Sequence, residues 1–340
     1  MPPPKLRQMH PSRLAVAGLR NMDEHAADLI HVSVLAAEVL EIVRSSSMGI
    51  AVDATLGLGG HSELILESDR NVRVIGIDQD QAAIEKAKER LSRFGDRFIA
   101  AHGNFSQISE IIENASIGQP DAVIADLGVS SMQFDDAERG FSFRFDAPLD
   151  MRMDASSGGP TAADLLETLS ETELANIIYE FGEERASRRI AKWIGECNER
   201  GEPLRTTRQL ADLVERAVRR GPKDKIHPAT RTFQALRIAV NGELDILEKF
   251  LTDSVGILKA QGVLAVISFH SLEDRIVKRT FQRLSGKCEC PPRIPQCVCG
   301  AVKKVEILTR KPILPGEDEL GENPRSRSAK LRACKKLGTN

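Results

Sequence analysis

The chain has 340 residues, 41% hydrophobic and 28% charged, with a formal net charge of −2. That is the composition of a globular protein with room for one large or two ordinary domains. No run approaches the ~18 apolar residues of a membrane span, and the proline-bearing, basic start lacks the apolar core of a secretory signal, so a cytoplasmic location is the default.

In chain order, residues 1–30 read as a poorly ordered arm. His31–Val43 has apolar residues at helical spacing and leads into the core. Ile50-Ala51-Val52 reads as a buried strand, followed by the glycine turn Gly57-Leu58-Gly59-Gly60 and a helix from His61 to Glu67. Val72–Ile77 is the next strand and ends on Asp78, which completes one βαβ unit. Gln81–Phe94 is an amphipathic helix rich in good helix formers. Arg97–Ala101 is a third strand, Gln107–Asn114 a helix, and Asp121–Leu127 a fourth strand that ends at Asp126. Strands alternating with helices predict a parallel sheet covered on both faces.

The pattern then breaks. Ser130–Pro160 is irregular, charged and phenylalanine-bearing, too long for an ordinary connection, and reads as a functional loop. Thr161–Arg220 is helical in pattern, with Thr161 or Asp164, Ser170 and Thr207 as N-caps, and reads as a helical domain inserted into the sheet domain. After His227 the α/β pattern returns: Thr232–Lys259 as helix, Gly262–Phe269 as a fifth strand, and Leu272–Leu284 as helix. Val302–Thr309 and Ser328–Ala333 close the chain as an antiparallel hairpin.

Ligands of parallel sheets sit beyond the C-terminal strand ends, where Asp53, Asp78, Phe105 and Asp126 all fall. The glycine turn and an acid roughly 20 residues on suit an adenosine cofactor. The dinucleotide pattern wants a third glycine where Ser62 stands, which argues against NAD. Asp53 followed by Gly57, Gly59 and Gly60 looks instead like the S-adenosylmethionine loop of Rossmann-like methyltransferases. At the fourth strand end, amino-methyltransferases carry a side-chain acceptor that draws the hydrogens of an exocyclic amine and frees its lone pair. Asp126 keeps that position, but Leu127-Gly128 replaces the usual prolines. The fifth strand ends in Ser268-Phe269-His270, where Phe269 could stack on a base and His270 could bond it, relay a proton or serve only structure. Arg231 and Arg237, on a loop and the following helix, read as phosphate contacts or as surface charge.

From Arg275 onward the sequence carries 16 Lys/Arg against 6 Asp/Glu. A basic end on a slightly acidic protein suggests a polyanionic partner. Six cysteines in such a chain form no disulfide framework. Cys288, Cys290, Cys297 and Cys299 cluster tightly, but two C-x-C pairs leave little room on one tetrahedral ion, so they are taken as thiols and no metal is assigned.

Taken together the motifs HVSVLAAEVL, VDATLGLGGHS, IGIDQD, HGNFSQI, DLGVSSMQFDDAERGFSFRFDAPLDMRMD, HPATRTFQALRIAVNGEL and ISFHSLEDRIVKR resemble the ribosomal RNA small subunit methyltransferase H family over roughly nine-tenths of the chain. The resemblance implies an α/β fold: a Rossmann-like S-adenosylmethionine-dependent methyltransferase with a seven-stranded, mostly parallel sheet and an inserted all-helical domain. Residues 31–135 and 228–340 would be the methyltransferase domain and 136–227 the inserted loop and helical substrate-recognition domain. It implies methylation of N4 of a cytidine in the decoding region of 16S rRNA. The partner would be that RNA or the small ribosomal subunit, with no membrane and no DNA, and a homo-oligomer stays open. Gly59, Gly60 and His61 would form the cofactor loop, Asp78 would hold the ribose hydroxyls, Phe105 would flank the adenine, and Asp126 and Gln133 would complete the pocket. Asp126 and His270 stand as catalytic candidates, and Ser268, Phe269, His270, Arg231 and Arg237 as substrate contacts. Two departures are small: HVS stands for the usual HVP, and Met132 for a common proline. The rival readings are a DNA amino-methyltransferase, a non-catalytic RNA-binding protein of the same fold, and an NAD-dependent dehydrogenase.

Overall fold

The computed structural model describes residues 33–46, 49–218, 226–288, 290, 298 and 301–338. The expectations for the N-terminal arm, for Cys297 and for Cys299 lie outside the described residues. β1 (Ile50–Asp53), β2 (Arg73–Asp78), β3 (Phe98–His102), β4 (Ala122–Asp126) and β5 (Val263–Ser268) run parallel. β6 (Val305–Ile307) and β7 (Lys330–Lys336) complete one seven-stranded sheet of order β3-β2-β1-β4-β5-β7-β6. β7 is antiparallel to both neighbours. The expected closing antiparallel pair is therefore present, but its second strand enters between β5 and β6.

Helices α1 (Ala36–Arg44), α2 (Gly60–Ser68), α3 (Gln81–Leu91) and α4 (Ile108–Ala115) alternate with the first four strands. A short α5 (Ser131–Asp135) opens the irregular stretch. Then come α6 (Ala162–Thr168), α7 (Glu171–Gly182), α8 (Ser187–Glu199), α9 (Thr207–Ala217), α10 (Ala229–Asn241), α11 (Glu243–Ile257), α12 (Ser271–Leu284) and α13 (Glu317–Glu322).

Strand side chains alternate between faces, and the two cores follow that alternation. Ala51, Val74, Ala122, Ala265 and Leu331 pack with Val39 and Val43 of α1, Leu66 of α2 and Leu91 of α3. Their neighbours Val52, Ile75, Val123, Val266 and Cys334 pack with Ile112 of α4, Phe250 of α11 and Phe281 of α12. Each fully buried Leu, Ile or Phe side chain stabilises by ~1.5–3 kcal/mol. A third cluster lies apart from these: Phe141, Leu149 and Met151 join Leu174, Ile178, Ile190, Ile194 and Leu210, with Phe233 and Leu236 of α10.

Two sequence expectations shift. Thr232–Lys259 is two helices, because Gly242 takes φ 59° and ends α10 before α11 begins. Asn-Gly at 241–242 is the turn signal that a continuous helical pattern hid. α9 is capped by Thr206, whose side chain accepts from Gln209 N in a capping box. Thr207 is buried and donates its hydroxyl to Phe145 O at 2.6 Å. Thr161 and Ser170 cap as expected.

Candidate active site

The strand order reverses between β1 and β4, the place where open α/β sheets form a crevice. Asp53 and Asp126 end those two strands, Asp78 ends β2, and Phe269-His270 follow β5. Five of the expected residues therefore meet at one edge.

The glycine turn is shaped by backbone sterics. Gly59 sits at φ 79°, and a Cβ there would lie 2.9 Å from Leu91 Cδ1. Gly57, at φ 50°, donates its N–H to Asp78 Oδ2 at 2.8 Å. Asp80 N donates to Asp78 Oδ1 at 2.9 Å. Each Asp78 oxygen keeps a lone pair for another donor. Burial raises the Asp78 pKa despite these N–H groups. Where the dinucleotide pattern wants a glycine, Ser62 is fully buried and donates to Asp53 Oδ2 at 2.7 Å. Burial still pushes Asp53 up to about 6.

Asp126 is the centre of the edge. Its backbone N–H donates to Thr55 Oγ1 at 2.6 Å, and its Oδ1 is buried without a hydrogen bond. His61 Nε2 stands 3.9 Å from its Oδ2. Burial drives its pKa well above the carboxylate range, and the charges of Asp53, Glu273 and Glu319 add to this. Glu319 arrives from α13, where it accepts Leu35 N at 2.8 Å.

Asp80, which sequence reasoning passed over, behaves in the opposite way. It caps α3 through Ala82 N and accepts Gln133 Nε2 and Arg139 Nη1, each at 2.9 Å. Burial would raise its pKa, but Gln133 and Arg139 outweigh that and hold it low. Arg139 also donates to Arg152 O and Met153 O, so one guanidinium ties the irregular stretch to the sheet edge. The short D-x-D spacing after β2 was the signal available in the sequence. Gln133 itself is buried and boxed with Ser130 at the start of α5.

On the β5 side, His270 caps α12: its Nδ1 accepts Glu273 N at 3.4 Å, and its Nε2 lies 3.1 Å from Glu273 Oε1. Glu273 Oε2 accepts Phe269 N at 2.8 Å and His270 N at 3.2 Å. Burial acts to raise Glu273, but His270, Arg237 and the Phe269 N–H bring its pKa below the usual value. His270 is thus held as a helix cap. Ser268 is 1% exposed, with its hydroxyl 3.4 Å from Lys330 O, and so is turned to β7 rather than to the crevice.

Arg231 lies inside α10, not on a loop, and sits 3.7 Å from Glu184. Arg237 makes two 2.8 Å bonds to Glu243. A Cβ on Gly128 would meet both Arg237 Nη1 and Phe269 Cδ2 at 3.9 Å, which places those two beside the loop after β4. Phe105 packs edge-on to Phe250 with centroids 4.9 Å apart and is partly exposed.

This is a crevice with a glycine turn and, at the ends of β1, β2 and β4, three carboxylates with no Lys or Arg within ion-pair distance among the described residues. Such a site defines an α/β enzyme with an adenosine-bearing cofactor. The model of the MraW methylase family matches residues 28–337. Ribosomal RNA small subunit methyltransferase H of Geobacter sulfurreducens is 52% identical over 90% of this chain and 99% of its own. Those of Trichlorobacter lovleyi and Geotalea uraniireducens are 53% and 51% identical over 91% and 92% of this chain, and 98% and 100% of theirs. The chain belongs to the MraW methylase family, and it is a methyltransferase whose methyl donor is S-adenosylmethionine. The residues present fit that donor, because a sulfonium beside Asp126 would relieve the mutual repulsion of Asp126, Asp53, Glu273 and Glu319. Among the described residues no helix is long and apolar enough to cross a membrane.

Proposed function

We propose that this chain methylates the N4 exocyclic amine of a cytidine in the decoding region of 16S rRNA, in the cytoplasm. The observation that carries the reading is Asp126: a half-buried carboxylate at the end of β4 whose Oδ1 is buried and unbonded. Two relatives about 50% identical carry names that place their action on small subunit ribosomal RNA.

Bound S-adenosylmethionine supplies an electrophilic methyl group on a positively charged sulfur. Gly59, Gly60, His61, Asp78, Phe105 and Gln133 are the residues that would hold it. Asp126 accepts the amine hydrogens of the target, which turns the nitrogen lone pair out of conjugation and towards the methyl carbon. Forming the N–C bond would break the methyl–sulfur bond, leave its electron pair on a neutral thioether, and make the nitrogen cationic, so that it must shed one proton. A carboxylate whose pKa is raised by burial is a better acceptor for that proton than an ordinary one. Phe269 stacks on the unstacked base. His270 and Glu273 position Phe269, since the Phe269 N–H is anchored on Glu273. Residues 136–227 form the part that presents the RNA, latched to the crevice through Arg139.

The test is transfer of labelled methyl from S-adenosylmethionine to small ribosomal subunits lacking the modification, with duplex DNA in parallel, and mapping of the label by mass spectrometry. N4-methylcytidine in the decoding region is expected. Label on another RNA position would overturn the substrate, and label on DNA alone would favour the DNA amino-methyltransferase.

A further inference from the structure

The basic C-terminal part has one place where its charges are left uncompensated around a cavity. α12 carries Arg275, Lys278, Arg279 and Arg283. Arg275 pairs with Glu183 at 2.9 Å, and Arg283 pairs with Glu248. Neither Lys278 nor Arg279 has an acid within ion-pair distance among the described residues. Lys278 lines a cavity of about 180 Å³ between α12 and the β6–β7 edge, with Gln282, Thr309, Arg310 and Arg332 around it and Phe281 behind. That is far above the ~15 Å³ one water needs.

The polar groups of the lining suit an oxyanion, set against an apolar wall of Phe281 and Ile307. Arg332 is 7% exposed and gives Nε to Asp274 Oδ1 at 2.6 Å and Nη2 to Oδ2 at 3.3 Å. Asp274 is not among the lining residues, and its charge is used on Arg332. Lys278 and Arg310 are exposed and remain uncompensated, so the cavity carries two net positive charges. Thr309 Oγ1 accepts Ala333 N at 2.8 Å and keeps its own hydrogen to donate. Three of the polar lining residues can only donate hydrogen bonds, and none is an acid.

The position also fits. Lys278 is eight residues along α12 from its cap His270, ~12 Å at the rise of a helix. An RNA strand with its target base beside Phe269 covers that distance in a few nucleotides. We propose that this cavity is a phosphate subsite that grips the RNA backbone a few nucleotides from the methylated base. It rests on the RNA-methyltransferase reading above.

The test is the double variant Lys278→Gln/Arg310→Gln beside Arg279→Gln, an exposed cation of the same helix outside the cavity lining. Methyl transfer to small subunits and RNA affinity are measured across a salt series, with S-adenosylmethionine affinity and melting temperature as controls. The double variant should raise KM for the RNA substrate about tenfold with kcat unchanged. Its plot of log affinity against log salt should flatten by about 1, the loss of one phosphate contact. Cofactor affinity and melting should not move, and Arg279→Gln should do much less. Wild-type KM and salt slope in the double variant would overturn the subsite. Equal effects from Arg279→Gln would also overturn it, in favour of a diffuse field. If the wild-type protein transfers no methyl to any RNA, the functional reading falls first and the subsite falls with it.

Discussion

Asp78, the last residue of β2, and Asp80, the cap of α3, stand two residues apart, yet their acidities move in opposite directions. Around Asp80 every oxygen is answered, by Ala82 N, Gln133 and Arg139. Around Asp78, Asp53 and Asp126 burial wins, and Asp126 Oδ1 has no hydrogen bond. The paired side is a latch that fixes the irregular stretch. The other side is a set of acids waiting for a cation. One edge thus separates a carboxylate answered by cation and amide from carboxylates that burial leaves short of partners.

The sharpest way to break that comparison is Asp126→Asn. It keeps the shape and removes the basic oxygen, so single-turnover methyl transfer should fall ~10²–10⁴-fold with thermal melting near wild type. Unchanged turnover would move catalysis elsewhere on the edge. Arg139→Met should do the reverse. Leaving the buried Asp80 charge without its cation costs about 3 kcal/mol, read by urea unfolding, and residues 136–160 should become sensitive to limited proteolysis. A loss of turnover with stability intact would mean the latch is part of the chemistry.

Asp53 gives a pH test with a defined sign. Its folded pKa, about 6, lies above the ordinary 3.8. The stability this proton confers is fully present below 3.8 and is lost as pH rises through about 6. The difference corresponds to about 3 kcal/mol. Asparagine can still accept from Ser62. The cofactor-free Asp53→Asn protein should therefore be more stable than wild type at pH 8, by up to that amount, and equal to it near pH 4. Denaturant midpoints at the two values decide it, and a wild-type advantage at pH 8 would refute the burial argument. Smallest is Thr206→Ala, which removes the α9 cap for about 1 kcal/mol and should leave methyl transfer untouched, since it lies in the paired, structural part of the molecule.

The strand ends were legible because a short apolar run bounded by Gly, Asp or Pro marks a buried strand, and ligands of parallel sheets gather at one edge. Asp53, Asp78 and Asp126 followed from that logic alone. The latch was not legible, because its partners lie 53 and 59 residues from Asp80 and no local spacing reports a contact that distant. His270 was visible as a strand-end histidine, but its capping role needed the box with Glu273 at the third helical position. Thr206 was lost to its neighbour Thr207 because both are good caps, and only Gln209 three residues on tells them apart.

The placement of β7 bears on how the protein is made. It pairs with β5 over six residues, Val263 to Ser268, yet about 60 residues separate the two strands in sequence. During synthesis at ~5–20 residues per second, the outer edge of β5 stays open for several seconds, with its amide and carbonyl groups unpaired beside the nascent crevice. An open edge is a template for pairing with another chain. Until β7 arrives, β5 is itself an edge strand, and dense polysomes are where misassembly through it would begin.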